Sequence, residues 1–152
     1  MKLERYEPLV ASDNELEYRF DSIGPKGKIL KIIQFVKTND PRFYIMSFGD
    51  ILPDGSVDHH IKNDNKDRNK ILATVAVVVY EFTARNPNKF VFFKGSTEVR
   101  TRLYRMALAI NLKELSIDYE IYGVHLKEGN YIVRQFEKEK EYYGFAVKRK
   151  IN

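Results

Sequence analysis

The chain contains no cysteine. That absence excludes disulfides, thiolate nucleophiles and every cysteine-ligated metal site. Stability must then come from ordinary burial, and 152 residues suffice, because a domain of that length buries roughly 68–70% of the surface its unfolded chain exposes. No uninterrupted apolar run approaches the roughly 20 residues that a membrane-crossing helix needs. The opening MKLERYEPLV has charges at positions 2, 4, 5 and 7, which excludes a secretory signal. There is no internal repeat, no low-complexity segment and no linker. These absences predict a single domain over residues 1–152, located in the cytoplasm and making no membrane contact.

An excess of one charge sign is missing from most of the chain. The net charge is +5, but residues 1–50 carry eight basic and eight acidic side chains, and residues 51–86 carry five of each. Residues 87–111 carry Lys89, Lys94, Arg100, Arg102 and Arg105 against Glu98 alone. The last 41 residues, 112–152, hold eight basic against seven acidic. Positive charge gathered in one segment marks either an anionic partner or a chance cluster on a solvated surface.

The periodicities predict an α+β fold. In LEYRFDS, Leu16, Tyr18 and Phe20 alternate with Glu17, Arg19 and Asp21, as in a half-buried strand. IGPKG reads as a turn, and KILKIIQFV as its partner strand, polar only at Lys31 and Gln34 besides its first residue. RFYIMSFGD is a third strand, closed at Pro53-Asp54-Gly55. Residues 67–85 are long and place Ile71, Leu72, Val75, Val78, Val79 and Phe82 on one stripe, so they read as a helix, capped by Asp64 or Asn65. KFVFFKG is a buried strand, a second helix follows, and residues 119–126, 131–136 and 142–149 are three more strands. Lys127-Glu128-Gly129-Asn130 makes a hairpin turn, and Tyr143, Phe145 and Val147 are expected to share a face. The predicted order is β-β-β-α-β-α-β-β-β, with two helices on a largely antiparallel sheet.

The second helix lies in GSTEVRTRLYRMALAIN, residues 95–111. Ser96 is the expected N-cap. With Val99 at zero, Leu103, Met106 and Ile110 form the expected core stripe, while Arg100, Arg105 and Arg102 fall at about 100°, about 240° and about 300°. The arginines therefore make no single stripe. The start of the helix is the better candidate site: its free N–H groups and the macrodipole favour an anion. Lys94, Gly95, Ser96, Thr97, Arg100, Arg102 and Arg105 are the candidate anion-binding residues, Gly95 because it permits close approach of a ligand to the backbone. Glu98 opposes them, unless it pairs with Arg102 one turn on. An ordinary capped helix with a solvated face accounts for the same residues. The anionic partners that fit are RNA, a nucleotide or an acidic protein segment. Glu98, Arg102 and Tyr104 also supply the residue types of a metal-independent ribonuclease, such as the toxin of a toxin–antitoxin pair. A third reading is an interaction module or homodimer, joined through a sheet face or edge.

Other chemistries lack their residues. There is no Gly-x-Ser-x-Gly elbow. GPKGK has neither the spacing of a phosphate loop nor a helix after it. Asp58, His59, His60, Asp64 and Asp67 gather in a turn-rich region, but adjacent histidines on extended chain point apart, so no metal and no cofactor is expected. His125 stands alone in a strand and reads as structural. Residues 137–141, alternating Glu and Lys, read as a solvated turn. Tyr122 and Tyr142 fall on strand faces away from the expected core, where they would meet bases or a protein partner.

RYEP at residues 5–8, GPKGKI at 24–29, FGD at 48–50, ILATVA at 71–76, residues 95–111 and the closing FAVKRK together resemble a family of small bacterial proteins classed as a domain of unknown function. The resemblance spans nearly the whole chain. It implies relatives without implying an activity.

Overall fold

The structure, a computed structural model, describes residues 4–7, 10–59 and 65–151. Its elements run β1 (Val10–Ala11), β2 (Glu17–Gly24), β3 (Gly27–Lys37), β4 (Phe43–Ile51), β5 (Val57–Asp58), α1 (Arg68–Arg85), β6 (Phe90–Phe93), α2 (Glu98–Ile110), α3 (Leu112–Asp118), β7 (Tyr119–Lys127), β8 (Asn130–Gln135) and β9 (Gly144–Arg149). The fold is α+β with mostly antiparallel pairing. Three elements lie outside the order expected from the sequence. The strands β1 and β5 have two residues each, too short for any periodicity to register. The helix α3 follows α2 after Asn111, whose φ of −103° and ψ of 13° break the helix between them.

The chain forms two compact units, one of Met1–Val36 with Met46–Phe82 and one of Lys37–Ile45 with Thr83–Asn152. In the first, β2 and β3 pair antiparallel from Glu17↔Gln34 to Gly24↔Gly27. Gly27 takes a φ of +83°, where glycine is the residue without steric cost. Tyr18 and Phe35 meet edge to face, and Phe35 stacks on Phe82 of α1 with centroids 3.9 Å apart. Val75, Val78 and Phe82 are buried, so the stripe read from the sequence faces the core. Lys31, the charged exception in its strand, is buried and pairs with Asp50 at 2.5 Å.

Asn65 does not cap α1. It is fully buried, and its amide donates to the Gly27 carbonyl at 2.9 Å while its oxygen accepts from the Lys26 N–H at 2.7 Å. It therefore ties the β2–β3 turn. The helix starts instead from the Asp67 carbonyl, which accepts from the Ile71 N–H at 2.9 Å. The Asp67 carboxylate accepts from the hydroxyls of Tyr6 and Ser22. Asp64, the other expected cap, lies outside the described residues.

In the second unit the start of β4, Phe43–Ile45, is followed across the sheet by β6, β9, β7 and β8. Among the described residues of this unit, Phe43–Ile45 against Phe90–Phe92 is the parallel pairing. The β7–β8 hairpin turns at Glu128 and Gly129, with φ of 52° and 78°, the mirror-image turn that suits twisted strands. Val91, Phe93, Ile121, Phe145 and Val147 are buried on one side, where Phe93 meets Tyr104 of α2 at 5.3 Å.

Two tyrosines depart from expectation. Tyr142 is buried rather than outward-facing. It packs on Phe136 and Phe145 and lies over Gly123, where any Cβ would come within 2.1 Å of its ring. Tyr143 does not share a face with Phe145 and Val147, because it precedes β9 and its ring meets Phe92 and Tyr131 instead.

Candidate anion-binding site

Thr97, not Ser96, caps α2. Thr97 has extended backbone (φ −137°, ψ 164°), and its Oγ1 accepts from the Arg100 N–H at 3.2 Å. Ser96 Oγ instead accepts from Arg100 Nη1 at 2.6 Å. Thr101 Oγ1 donates to the Thr97 carbonyl at 3.1 Å and accepts from the Gly95 N–H at 3.0 Å. The Gly95 N–H is thus used within the fold. A Cβ on Gly95 would stand 2.4 Å from Thr101 N and 2.5 Å from the Arg100 carbonyl carbon. Glycine is required here because the incoming chain passes against the helix backbone, not because a ligand approaches it.

The helix also presents a different face to the core. Val99, Met106 and Ile110 are exposed, Ile110 by 79%, and Leu103 is only half-buried. The inward side carries Thr101, Tyr104 and Leu108, with Tyr104 edge-on to Phe93. Both sides of this helix are apolar enough to be read as core, and aromatic contact with β6 decides between them. Burial pushes the Tyr104 phenol up to about 12, with Arg100 pulling weakly the other way. At neutral pH that phenol stays protonated.

A cavity of about 530 Å³ opens beside the start of α2. One wall is continuous chain from Lys94 to Glu98, joined by Thr101, Arg102 and Arg105. The other comes from Glu141, Tyr142, Tyr143 and Phe145. Of the residues expected at the site, Lys94, Gly95, Ser96, Thr97, Glu98, Arg102 and Arg105 come together. Arg100, held by Ser96, and Tyr104, packed on Phe93, stand off the wall.

Three cations therefore share the cavity with two carboxylates. Arg105 Nη1 donates to the Lys138 carbonyl at 3.2 Å, and Lys94 Nζ sits 4.8 Å from the centre of the Tyr143 ring. Among the described residues neither Lys94, Arg102 nor Arg105 forms an ion pair. In particular, Glu98 does not close onto Arg102, although one helical turn separates them.

Besides Thr101 on the helix itself, the wall residues not expected at the site are Glu141, Tyr142, Tyr143 and Phe145. They reach the wall because β9 returns beside β6, pairing Phe93 with Phe145. Nothing in a local pattern encodes that pairing. Residues 137–141 hold the Lys140–Glu137 pair at 2.6 Å and supply Lys138 to Arg105, so this charged turn also borders the site.

Elsewhere, His125 packs on Tyr142 with ring centres 4.9 Å apart. No group of three or more His, Asp or Glu side chains converges among the described residues as a metal ion would need; His60 and Asp64 lie outside them. No described helix is long and apolar enough to cross a membrane.

The sequence profile of a family of unknown function, DUF6934, matches residues 2–150. No curated protein and no solved structure matches the chain.

Proposed function

We propose, from the premise that the chain belongs to this family of unknown function and takes no activity from it, that it is a binding domain with an anion site in the cavity beside α2. One observation carries the reading: Lys94, Arg102 and Arg105 open onto one cavity with no ion pair among the described residues. Glu98 and Glu141 share the wall and lower its potential, so binding requires anionic groups set against the three cations and away from both carboxylates. The anionic partners that suit it are RNA, a nucleotide or an acidic protein segment. The ribonuclease alternative draws no support from Tyr104, whose protonated phenol packs beside Phe93 and does not line the cavity.

Titration calorimetry with inorganic tripolyphosphate at low salt tests the reading. Wild-type protein binds, the affinity falls as salt rises, and the double variant Arg102→Glu/Arg105→Glu loses binding while keeping its circular dichroism. Absence of binding by the wild type, or equal binding by the variant, rejects it.

A further inference from the structure

The strand pairing of the second unit sorts its side chains onto two faces. The face opposite Phe93 and Phe145 carries Phe92 and Tyr122, aligned through Ala146. It also carries Tyr131 and Val133, aligned with Leu126 and Val124 of β7. The face is open at its β8 side, where Tyr131 is 63% exposed and Leu126 and Val133 also meet water; Phe92, Tyr122 and Tyr143 are half-buried, and Val124 and Ala146 are buried. Phe92, Tyr131 and Tyr143 form a cluster with centroids 6.1–6.5 Å apart. One exposed ring and two half-buried ones thus meet water together with Leu126 and Val133, and contiguous apolar surface of this kind marks binding sites.

The charge on this face decides what binds. Lys148 lies over Phe90 but is paired with Glu120 at 3.8 Å, and Arg42 lies over Phe43 but is paired with Asp40 at 2.8 Å. Lys94 lies over Tyr143 and has no ion pair among the described residues. Uncompensated positive charge is therefore concentrated at the Tyr143 end of the ring cluster. Lys94 and Tyr143 are also wall residues of the cavity that holds Arg102 and Arg105. Ring cluster and basic cavity are continuous.

We propose that the partner is a single-stranded nucleic acid, with a backbone phosphate held by Arg102 and Arg105 and adjacent bases stacked on Tyr143, Phe92 and Tyr131. The proposal rests on the anion-site reading and names its ligand. A free polyphosphate uses the cations and leaves the rings idle. An acidic peptide offers carboxylates to the cations but carries no aromatic face at each successive unit. A single strand supplies both kinds of group in succession, and every base offers a face to stack.

Fluorescence anisotropy with labelled oligouridylate and oligothymidylate of about twelve nucleotides tests it, a length within the range that small stacking domains cover. Wild type binds at least one oligomer, the two arms distinguishing RNA from DNA. Tyr131→Ala, at an exposed side chain, weakens binding by about tenfold, as loss of one stacked base does. Tyr143→Ala does the same and Tyr143→Phe, which keeps the ring, restores it. Tripolyphosphate binding stays unchanged in Tyr131→Ala. If tripolyphosphate binds and neither oligomer does, the nucleic-acid proposal falls while the anion site stands. Equal oligomer binding by wild type and Tyr131→Ala overturns it too. So does wild-type self-association that Tyr131→Ala abolishes without altering oligomer binding, because the face then serves a second copy of the chain.

Discussion

Gly95 shows how one residue type can be read correctly for the wrong reason. From the sequence, a glycine before Ser-Thr suggests a backbone left bare for a ligand. In the structure the space above its Cα is filled by the chain itself, with Thr101 N 2.4 Å and the Arg100 Cβ 2.5 Å from where a Cβ would be. Two of the three obstructing atoms, Thr101 N and the Arg100 carbonyl carbon, are helix backbone, and the Arg100 Cβ is fixed to it, so none can swing aside. Gly95→Ala is therefore expected to cost about 1–3 kcal/mol, the range for forcing extra atoms into a packed region. Urea unfolding followed by circular dichroism measures it, and an unchanged midpoint would contradict the packing account. Gly129 is the opposite case: it has open space around it and owes its identity to a φ of +78°. Sequence alone does not separate these two reasons for glycine, because one is local conformation and the other is a contact between segments.

At the scale of the element, α2 separates two hydroxyls that look equivalent in the sequence. Thr97 accepts the first-turn N–H of Arg100, whereas Ser96 accepts from the Arg100 guanidinium. Thr97→Ala should destabilise the fold by about 1 kcal/mol, the usual cost of losing a cap. Ser96→Ala should cost less, because a partly exposed arginine regains water as a partner. Thermal or urea melts of the two variants side by side check the order; a larger loss at Ser96 would move the cap. The existence of this helix was legible from its 3.6-residue periodicity, as was that of α1. The strand alternation at Tyr18 and Phe20 and the turns at Gly27 and Gly129 were legible for the same reason: each is a local pattern with a local cause. The inward face of α2 was not, since Val99, Met106 and Ile110 compete with Thr101, Tyr104 and Leu108, and only the neighbour Phe93 breaks the tie. The basic half of the cavity was legible because it is one contiguous segment, Lys94 to Arg105. Its aromatic half was not, because Tyr143 and Phe145 arrive through the pairing of β9 with β6.

For the whole molecule, the question is whether anion binding follows net charge or its placement. The chain has a net charge of +5, which alone attracts polyanions weakly and without preference for one surface. Reversing Arg102 and Arg105 to glutamate removes four units and leaves +1. Reversing Lys26 and Lys28, exposed at the β2–β3 turn, also leaves +1 and does not touch the cavity. If net charge governs, both double variants elute from a heparin column at the same lowered salt concentration. If the cavity governs, Lys26→Glu/Lys28→Glu elutes close to wild type and Arg102→Glu/Arg105→Glu elutes far earlier, because screening over a Debye length of about 8 Å at physiological salt confines each charge to its own neighbourhood. The second outcome is expected. The cavity cations share one space with no ion pair among the described residues, whereas Lys28 lies 3.4 Å from Asp21, which already offsets part of its field.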